Sequence, residues 1–450
     1  VIRTSSERRE EPVQVRSTRS LSGPTLALDD AILQGLAPDG GLYLPTELPG
    51  LSNDWAEAES LADVAVRTLA PWWGPDEAQI VPLLRDALPF DAPLKPLSGN
   101  RWLLELFHGP TLSFKDVGAR TMARLAARAL AGRKATATVL VATSGDTGSA
   151  VADGFAGAPG VRVALLYPKG MVSEVQERQL ITARKNVRAF AVQGDFDACQ
   201  RMVKEAFRDP ALESLHLTSA NSINIGRLLP QMLYYLWAGL QLERQFGVSQ
   251  APYFVVPSGN LGNLTGAMLA AARGLPVHGF LAAHNANRFF PDVLQGEQDP
   301  AASPATIPTL SNAMDVGAPS NFERLWGWYG PDLQARVDGL SVDDDATLAR
   351  MRLTAEEDGE IVCPHTAVGL EALARQRALR PELEAIPAVV LATAHPAKFD
   401  QAVLRATGRP APSAPALEAL REAPTRVEAI ASDEAVLREA LLHGVWPEEA

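Results

Sequence analysis

A lysine and two glycine-bearing turns hold the residues best able to do chemistry. In HGPTLSFKDVGARTMARLAARAL, Lys115 stands where a polar loop gives way to a stretch of helical period. A helix dipole disfavours a cation at that end by up to about 1 kcal/mol, so lysine is unusual there. If buried, its pKa falls below the free value of about 10.4 and the neutral amine can attack a carbonyl to form a Schiff base. If exposed, it pairs with Asp116, and the residue types alone leave both readings open. The run TVLVAT leads into SGDTGSA, where Gly145 and Gly148 let backbone N–H groups approach an anion at a helix start. A tight turn capped by Asp146 and Thr147 would have the same composition. After YFVVP comes SGNLGNLTGA, which reads as a phosphate cradle, with a routine glycine turn as its alternative. It lacks the Gly-Lys-Ser/Thr ending of a nucleotide-binding P-loop and does not match GxGxxG. An amine, a phosphate cradle and a second anion site on one sheet predict a pyridoxal 5′-phosphate site. The second anion site would take an amino-acid carboxylate.

The elements that must position these groups follow from hydrophobic period. Short apolar runs at 102–106, 138–143, 161–167, 187–192, 253–257, 277–283 and 388–393 alternate with helical stretches at 116–130, 173–185, 197–207 and 224–245. This is an α/β pattern with mostly parallel sheets and helices on both faces. In such sheets ligands bind beyond the carboxyl ends of the strands, where both turns fall. Residues 1–11 are charged and aperiodic and read as a tail. A smaller N-terminal domain is expected over 12–95 and a catalytic region over 96–410, with a nested lobe at about 130–235. A linker and a helical segment are expected over 411–450.

Composition removes several function classes. The 450 residues carry 41 Lys and Arg against 53 Asp and Glu, a formal net charge of −12, which disfavours a nucleic-acid partner. No apolar run reaches the roughly 18 residues of a membrane span, and the first residues lack an apolar leader, so a cytoplasmic protein with a small-molecule substrate is expected. Cys199 and Cys363 form no CxxC pair, and the seven histidines show no ligand spacing, so no metal site is expected.

Eight segments in order, STR at 17–19, DGGLYLP at 39–45, HGPTLSFKD, TSGDTG at 143–148, NSINIGRLLPQ at 221–231, PSGNLGN at 257–263, CPHTAVG at 363–369 and TAHPAKF at 393–399, resemble the threonine synthase family over nearly the whole chain. That family has the fold-type II architecture of pyridoxal-phosphate enzymes. The resemblance implies Lys115 as the Schiff-base lysine, with Phe114 beside the cofactor ring. It implies Gly259, Asn260, Leu261, Gly262 and Asn263 at the cofactor phosphate, although the family commonly carries Phe where Leu261 stands. Thr393 would face the pyridine nitrogen, and a neutral hydroxyl cannot hold that nitrogen protonated as a carboxylate would. Ser144, Gly145, Asp146 and Thr147 match the substrate-carboxylate turn. In related enzymes the position of Asp146 holds an Asn that reaches the cofactor's phenolic oxygen. Asn221, Ser222 and Arg227 match groups that hold the substrate phosphate.

The implied reaction is conversion of O-phospho-L-homoserine and water to L-threonine and phosphate, by γ-elimination and β-addition of water. A phospholyase releasing 2-oxobutyrate, or a non-catalytic ligand-binding paralogue, are the alternatives. His365 and His395 lie inside family-like motifs and are candidates to line the site, while the MLYYLW run at 232–237 reads as core. Trp72 and Trp73 have no assignment, and monomer and homodimer both remain open.

Overall fold

The seven apolar runs become the strands Arg101–Glu105, Ala137–Ala142, Val161–Pro168, Val187–Gln193, Tyr253–Pro257, Gly279–His284 and Ala388–Ala392. The computed structural model describes residues 3–5, 11–20, 22–143 and 145–446. Tyr253–Pro257 and Ala388–Ala392 are buried along their whole length, as strands covered on both faces must be. They are adjacent and parallel in a six-stranded sheet with the order Val337–Ser341, Gly279–His284, Tyr253–Pro257, Ala388–Ala392, Arg101–Glu105, Leu94–Leu97. Only the last pair is antiparallel. A second, five-stranded sheet is parallel throughout and runs Leu217–Thr218, Ala137–Ala142, Val161–Pro168, Val187–Gln193, Glu428–Ala431. Near the N-terminus, Gln14–Ser17 pairs antiparallel with Leu26–Ala27 and Tyr43–Pro45.

This arrangement is the α/β fold with mostly parallel sheets that the alternation predicts. The carboxyl ends of both larger sheets lead into the chemically interesting turns. Thr143, Gly145 and Asp146 follow Ala137–Ala142, Ser258 to Asn263 follow Tyr253–Pro257, and Thr393 follows Ala388–Ala392. Ser144 lies outside the described residues.

Several sequence expectations need correction. Part of the tail read at 1–11 is a strand, Arg3–Ser5, parallel to Glu47–Pro49. Backbone pairing makes no demand on side-chain polarity, so a charged stretch can still serve as an edge. The continuous helix expected at 224–245 is three pieces, Ile225–Leu228, a 3₁₀ turn Leu229–Met232 and Leu233–Phe246. Pro230 at the junction has no N–H to give to the helix ladder. The helix expected at 173–185 stops at Ile181, where Thr182 turns extended and bridges to Thr425. The C-terminal stretch read as linker and helix also supplies the strand Glu428–Ala431. Ile430, Leu437, Leu441 and Trp446 from that stretch are buried against the five-stranded sheet.

The 232–237 run is core: Met232, Leu233, Tyr234, Tyr235, Leu236 and Trp237 are all buried. The two unassigned tryptophans are structural. Trp72 is fully buried with the Arg273 guanidinium 5.3 Å from its ring centroid, and Trp73 Nε1 donates to Asp29 Oδ1 at 2.7 Å. Among the described residues, no helix is long and apolar enough to cross a membrane.

Candidate active site

Lys115 is the first residue of the helix Lys115–Arg133. The loop before it is stitched onto the end of the central strand: Phe114 N donates to Thr393 O at 2.9 Å and His395 N to Leu112 O at 3.0 Å. Asp116, the partner an exposed lysine would take, is itself buried and committed elsewhere. Its Oδ2 accepts from Thr111 N at 2.8 Å and its Oδ1 from Thr111 Oγ1 at 2.5 Å. The tight turn explains a small residue at 109, because a Cβ on Gly109 would lie 2.5 Å from Asp116 Oδ2.

Lys115 lines a cavity of about 740 Å³ between the two sheets, with its Nζ 5.7 Å from the Phe114 ring centroid. Burial lowers its pKa to about 8; Asp146 opposes that shift, and Lys398 and Arg227 add to it. Lys115 is thus half-buried in the cavity wall, and the reading of an exposed lysine paired with Asp116 does not hold.

Across the cavity, Gly259 to Asn263 form its other wall. Leu261 takes φ +58° and the helix Gly262–Ala272 starts immediately after it, so N–H groups of the first turn face the cavity. A Cβ on Gly259 would lie 2.8 Å from Met314 Cα, a clash with backbone that only glycine avoids. Asn260 Nδ2 donates to Ser222 Oγ at 2.8 Å, which joins this turn to the Asn221–Ser222 loop. Asn263 Oδ1 accepts from Tyr234 and Tyr235 hydroxyls, each at 2.6 Å, while its Nδ2 is buried with no partner among the described residues. Departure from the family's Phe at 261 leaves the turn intact, with Leu261 buried.

Arg227 is buried beside this wall and donates through Nη1 to Ala220 O. Its Nε has no partner among the described residues, and burial lowers its pKa to about 10, which leaves it cationic at neutral pH. Two unpaired buried donors, a free helix N-terminus and a glycine cradle are what dianionic phosphate groups require. With the Lys115 amine in the same cavity, the residues present fit pyridoxal phosphate.

The remaining wall comes from the five-stranded sheet. Thr143 Oγ1 accepts from Gly145 N at 3.0 Å and Gly148 N at 2.8 Å, closing the turn before the helix Asp146–Gly154. Asp146 and Thr147 line the cavity; Gly145, at φ +135°, shapes the turn without lining it. Burial opposes ionisation of Asp146, yet Lys398 and Lys115 hold its carboxyl well below the usual range. Thr393 lines the cavity, as does His365, whose Nε2 accepts from Ala313 N at 3.1 Å. Burial pulls the His365 pKa down to about 4, so the ring is neutral at pH 7. His395 does not line the cavity; its ring lies 5.3 Å from that of Phe107 and its Nδ1 accepts from Ala397 N.

The structure thus gathers Phe114, Lys115, Asp146, Thr147, Asn221, Ser222, Arg227, Gly259 to Asn263 and Thr393 around one cavity. Two further residues escaped the sequence reading. Lys398 is fully buried and its Nζ is 2.7 Å from Asp146 Oδ1. Arg324 is fully buried and donates to Tyr43 O at 2.9 Å, Ser222 O at 3.1 Å and Ile223 O at 2.6 Å, tying the N-terminal sheet to the 221–223 loop. Lys398 lay inside the quoted TAHPAKF motif, where a cation amid small and apolar residues was the available signal; Arg324 had none.

Comparison with known proteins agrees across the chain. The family described as pyridoxal-phosphate dependent enzyme matches residues 91–394. Threonine synthase N terminus matches 14–82 and Threonine synthase, C-terminal matches 366–441. A threonine synthase of Serratia marcescens is 41% identical over 422 residues, covering 92% of this chain and 95% of its own. The Escherichia coli K12 threonine synthase is 42% identical over 381 residues, covering 83% and 86%. Among solved structures, the Escherichia coli threonine synthase superposes with a TM-score of 0.87 at 36% identity, covering 96% of this chain and 100% of that one. A PLP-bound threonine synthase from Brucella melitensis gives a TM-score of 0.86 at 34% identity, covering 96% and 99%.

Proposed function

Because this chain belongs to the threonine synthase family, and is therefore a pyridoxal-phosphate enzyme, we propose that it converts O-phospho-L-homoserine and water to L-threonine and phosphate. We assign Lys115 as the residue that carries the cofactor and moves the protons. The observation that carries this assignment is the shared cavity of Lys115 and the Gly259–Asn263 turn, although the two lie far apart in the chain.

When bound, pyridoxal phosphate supplies an aldehyde for amino groups and a ring that takes up electron density as protons leave the substrate's α and β carbons. Gly259, Asn260, Leu261, Gly262 and Asn263 would grip its phosphate through backbone N–H groups and the helix N-terminus. Phe114 would pack beside the ring and Thr393 would present a neutral hydroxyl to the pyridine nitrogen. With substrate bound, Lys115 would be a free amine. With a pKa of about 8, a useful fraction is neutral at pH 7.5, and that fraction can accept the Cα proton.

At the other end of the cavity, Arg227, Asn221 and Ser222 hold the substrate phosphate, and the fixed cation stabilises the dianion as it leaves Cγ. Thr147 and the N-terminus of the helix Asp146–Gly154, in the turn that Gly145 shapes, orient the substrate carboxylate, with the Ser144 that the family resemblance implies. Water then adds at Cβ. We place the reaction in the cytoplasm, a compartment that keeps thiols such as the buried Cys199 and Cys363 unpaired.

Borohydride reduction of the holoenzyme followed by peptide mapping tests the assignment. The label is expected on Lys115, and Lys115→Ala is expected to lose cofactor absorbance and threonine formation together. A label on another lysine, or full turnover by the variant without added amine, would refute it.

A further inference from the structure

Lys398 is a fully buried lysine behind the cavity wall to which the steps above give no task. It sits in the short 3₁₀ turn Pro396–Phe399 just beyond the central strand, is 0% exposed, and does not line the cavity. Its Nζ lies 2.7 Å from Asp146 Oδ1 and donates to Thr111 O at 2.9 Å. Gln179 Nε2 donates to the same carbonyl at 3.1 Å, and Asp116 pins the Thr111 amide and hydroxyl. One ammonium therefore bridges the turn that delivers Lys115 and the first residue of the helix on the opposite wall.

Burying a cation this completely is costly, and an apolar side chain of similar volume commonly serves stability as well or better. The helix N-terminus favours the Asp146 charge by only up to about 1 kcal/mol, a weak reason by itself for a buried carboxylate to stay ionised. The arrangement of charges gives a stronger one. Asp146 takes both the Lys398 contact and a bond from Gln176 Nε2, at 3.1 Å, on the same oxygen, Oδ1. The other titratable groups facing this carboxylate are Lys115, the neutral His365 and the buried Cys363 thiol; Arg227 faces Lys115, and Asp116 faces Lys398. Without Lys398, Lys115 would be the nearest remaining cation for a buried carboxylate.

Resting on the Lys115 role given above, we propose that Lys398 is a positioning residue of the active site. Anchored on the Thr111 carbonyl, its ammonium claims Asp146 Oδ1, keeping that carboxylate ionised, oriented and unable to close a salt bridge onto the Lys115 amine. The charge on Asp146 is thereby kept as a fixed feature of the cavity wall, and Lys115 stays free to take and return protons.

The test uses the full-chain holoenzyme and reads the absorbance of the bound cofactor from pH 5 to 9. In Lys398→Met, Asp146 loses its main cation while burial remains, so it takes up a proton within the acid part of that range. A protonation step absent from the wild type is expected there, displaced by at least about one pH unit from any wild-type acid step, with kcat down at least about tenfold and KM within about threefold. Lys398→Arg keeps a cation and is expected to lack the new step, as is Lys398→Met combined with Asp146→Asn, where no carboxylate remains to titrate. Should Lys398→Met fail to fold, the double variant is compared with Asp146→Asn alone. The two are expected to match in kcat within about threefold, because a neutral amide at position 146 leaves Lys398 nothing to position, and a further tenfold loss overturns the proposal.

A Lys398→Met spectrum that titrates as the wild type, with kcat within about threefold, also overturns it. Borohydride labelling of the wild type separates this failure from failure of the assignment itself. Label on Lys115 with an unchanged Lys398→Met profile refutes only the role of Lys398, whereas label elsewhere refutes the Lys115 role on which it rests.

Discussion

Removing the cofactor and following its recapture by the free Lys115 amine tests the electrostatics of the site directly. Burial lowers the pKa of this amine to about 8 from 10.5. At pH 7.5 about a quarter of the molecules then carry a neutral amine, against about one in a thousand for an ordinary lysine, roughly a 200-fold advantage. The assay is stopped-flow absorbance of cofactor capture by the apoenzyme between pH 6 and 10.5, divided at each pH by the rate for a free lysine analogue. The cofactor's own ionisations enter both reactions and cancel. The ratio is expected to be flat below about pH 8 and to fall about tenfold per unit from there to about 10.5, as the analogue catches up. A ratio flat across the whole range would mean that Lys115 titrates as an ordinary lysine, and the burial argument would fail.

Gly259→Ala places a methyl 2.8 Å from Met314 Cα, and overpacking of that kind costs about 1–3 kcal/mol. Cofactor Kd is expected to rise about 5- to 150-fold in a fluorescence titration, and an unchanged Kd would show that the turn yields freely. Arg227→Met removes a charged donor worth about 1.5–3 kcal/mol, so KM for the phosphorylated substrate should rise about 10- to 150-fold with cofactor absorbance intact. Equal loss of cofactor would place Arg227 at the wrong phosphate. His284 is buried and its pKa falls to about 3, below its unfolded value of about 6.5, so the stability it confers as a neutral ring is complete above pH 6.5 and is lost as pH falls toward 3. Between pH 7 and 5 this amounts to about 2 kcal/mol, and His284→Leu should lose that much less unfolding free energy over the same interval in denaturant titrations. An unchanged pH dependence in the variant would refute the assignment.

Much of the architecture was legible because buried strands and amphipathic helices leave hydrophobic periods that survive without tertiary information. All seven strand runs appear, and the helix after Phe114 begins at Lys115, one residue before the expected start. The failures share a cause. Arg3–Ser5 and Glu428–Ala431 pair through backbone groups with strands remote in the chain, and no side-chain pattern advertises such a partner. The helix at 224–245 breaks at Pro230, whose missing N–H interrupts the ladder inside an otherwise continuous apolar stretch. His365 and His395 carried similar motif evidence, yet only the first lines the cavity: His365 sits at the start of the helix Pro364–Leu379 on the cavity wall, whereas His395, just before the 3₁₀ turn Pro396–Phe399, packs on Phe107.

Residue types and spacing by themselves determined which groups are available: an amine at a helix start, two glycine turns after strands, a hydroxyl after the central strand, and an arginine in NSINIGRLLPQ. Tertiary structure alone decided their state. Whether Lys115 is an ordinary ammonium or an amine near neutrality depends on how much water the two sheets exclude, and enclosure is a property of the assembled walls. The Lys398 contact to Thr111 joins residues 287 positions apart, and Arg324 reaches carbonyls 281 and 101 positions away. Electrostatic energy depends on distance through space and on the surrounding medium, and neither is written along the chain.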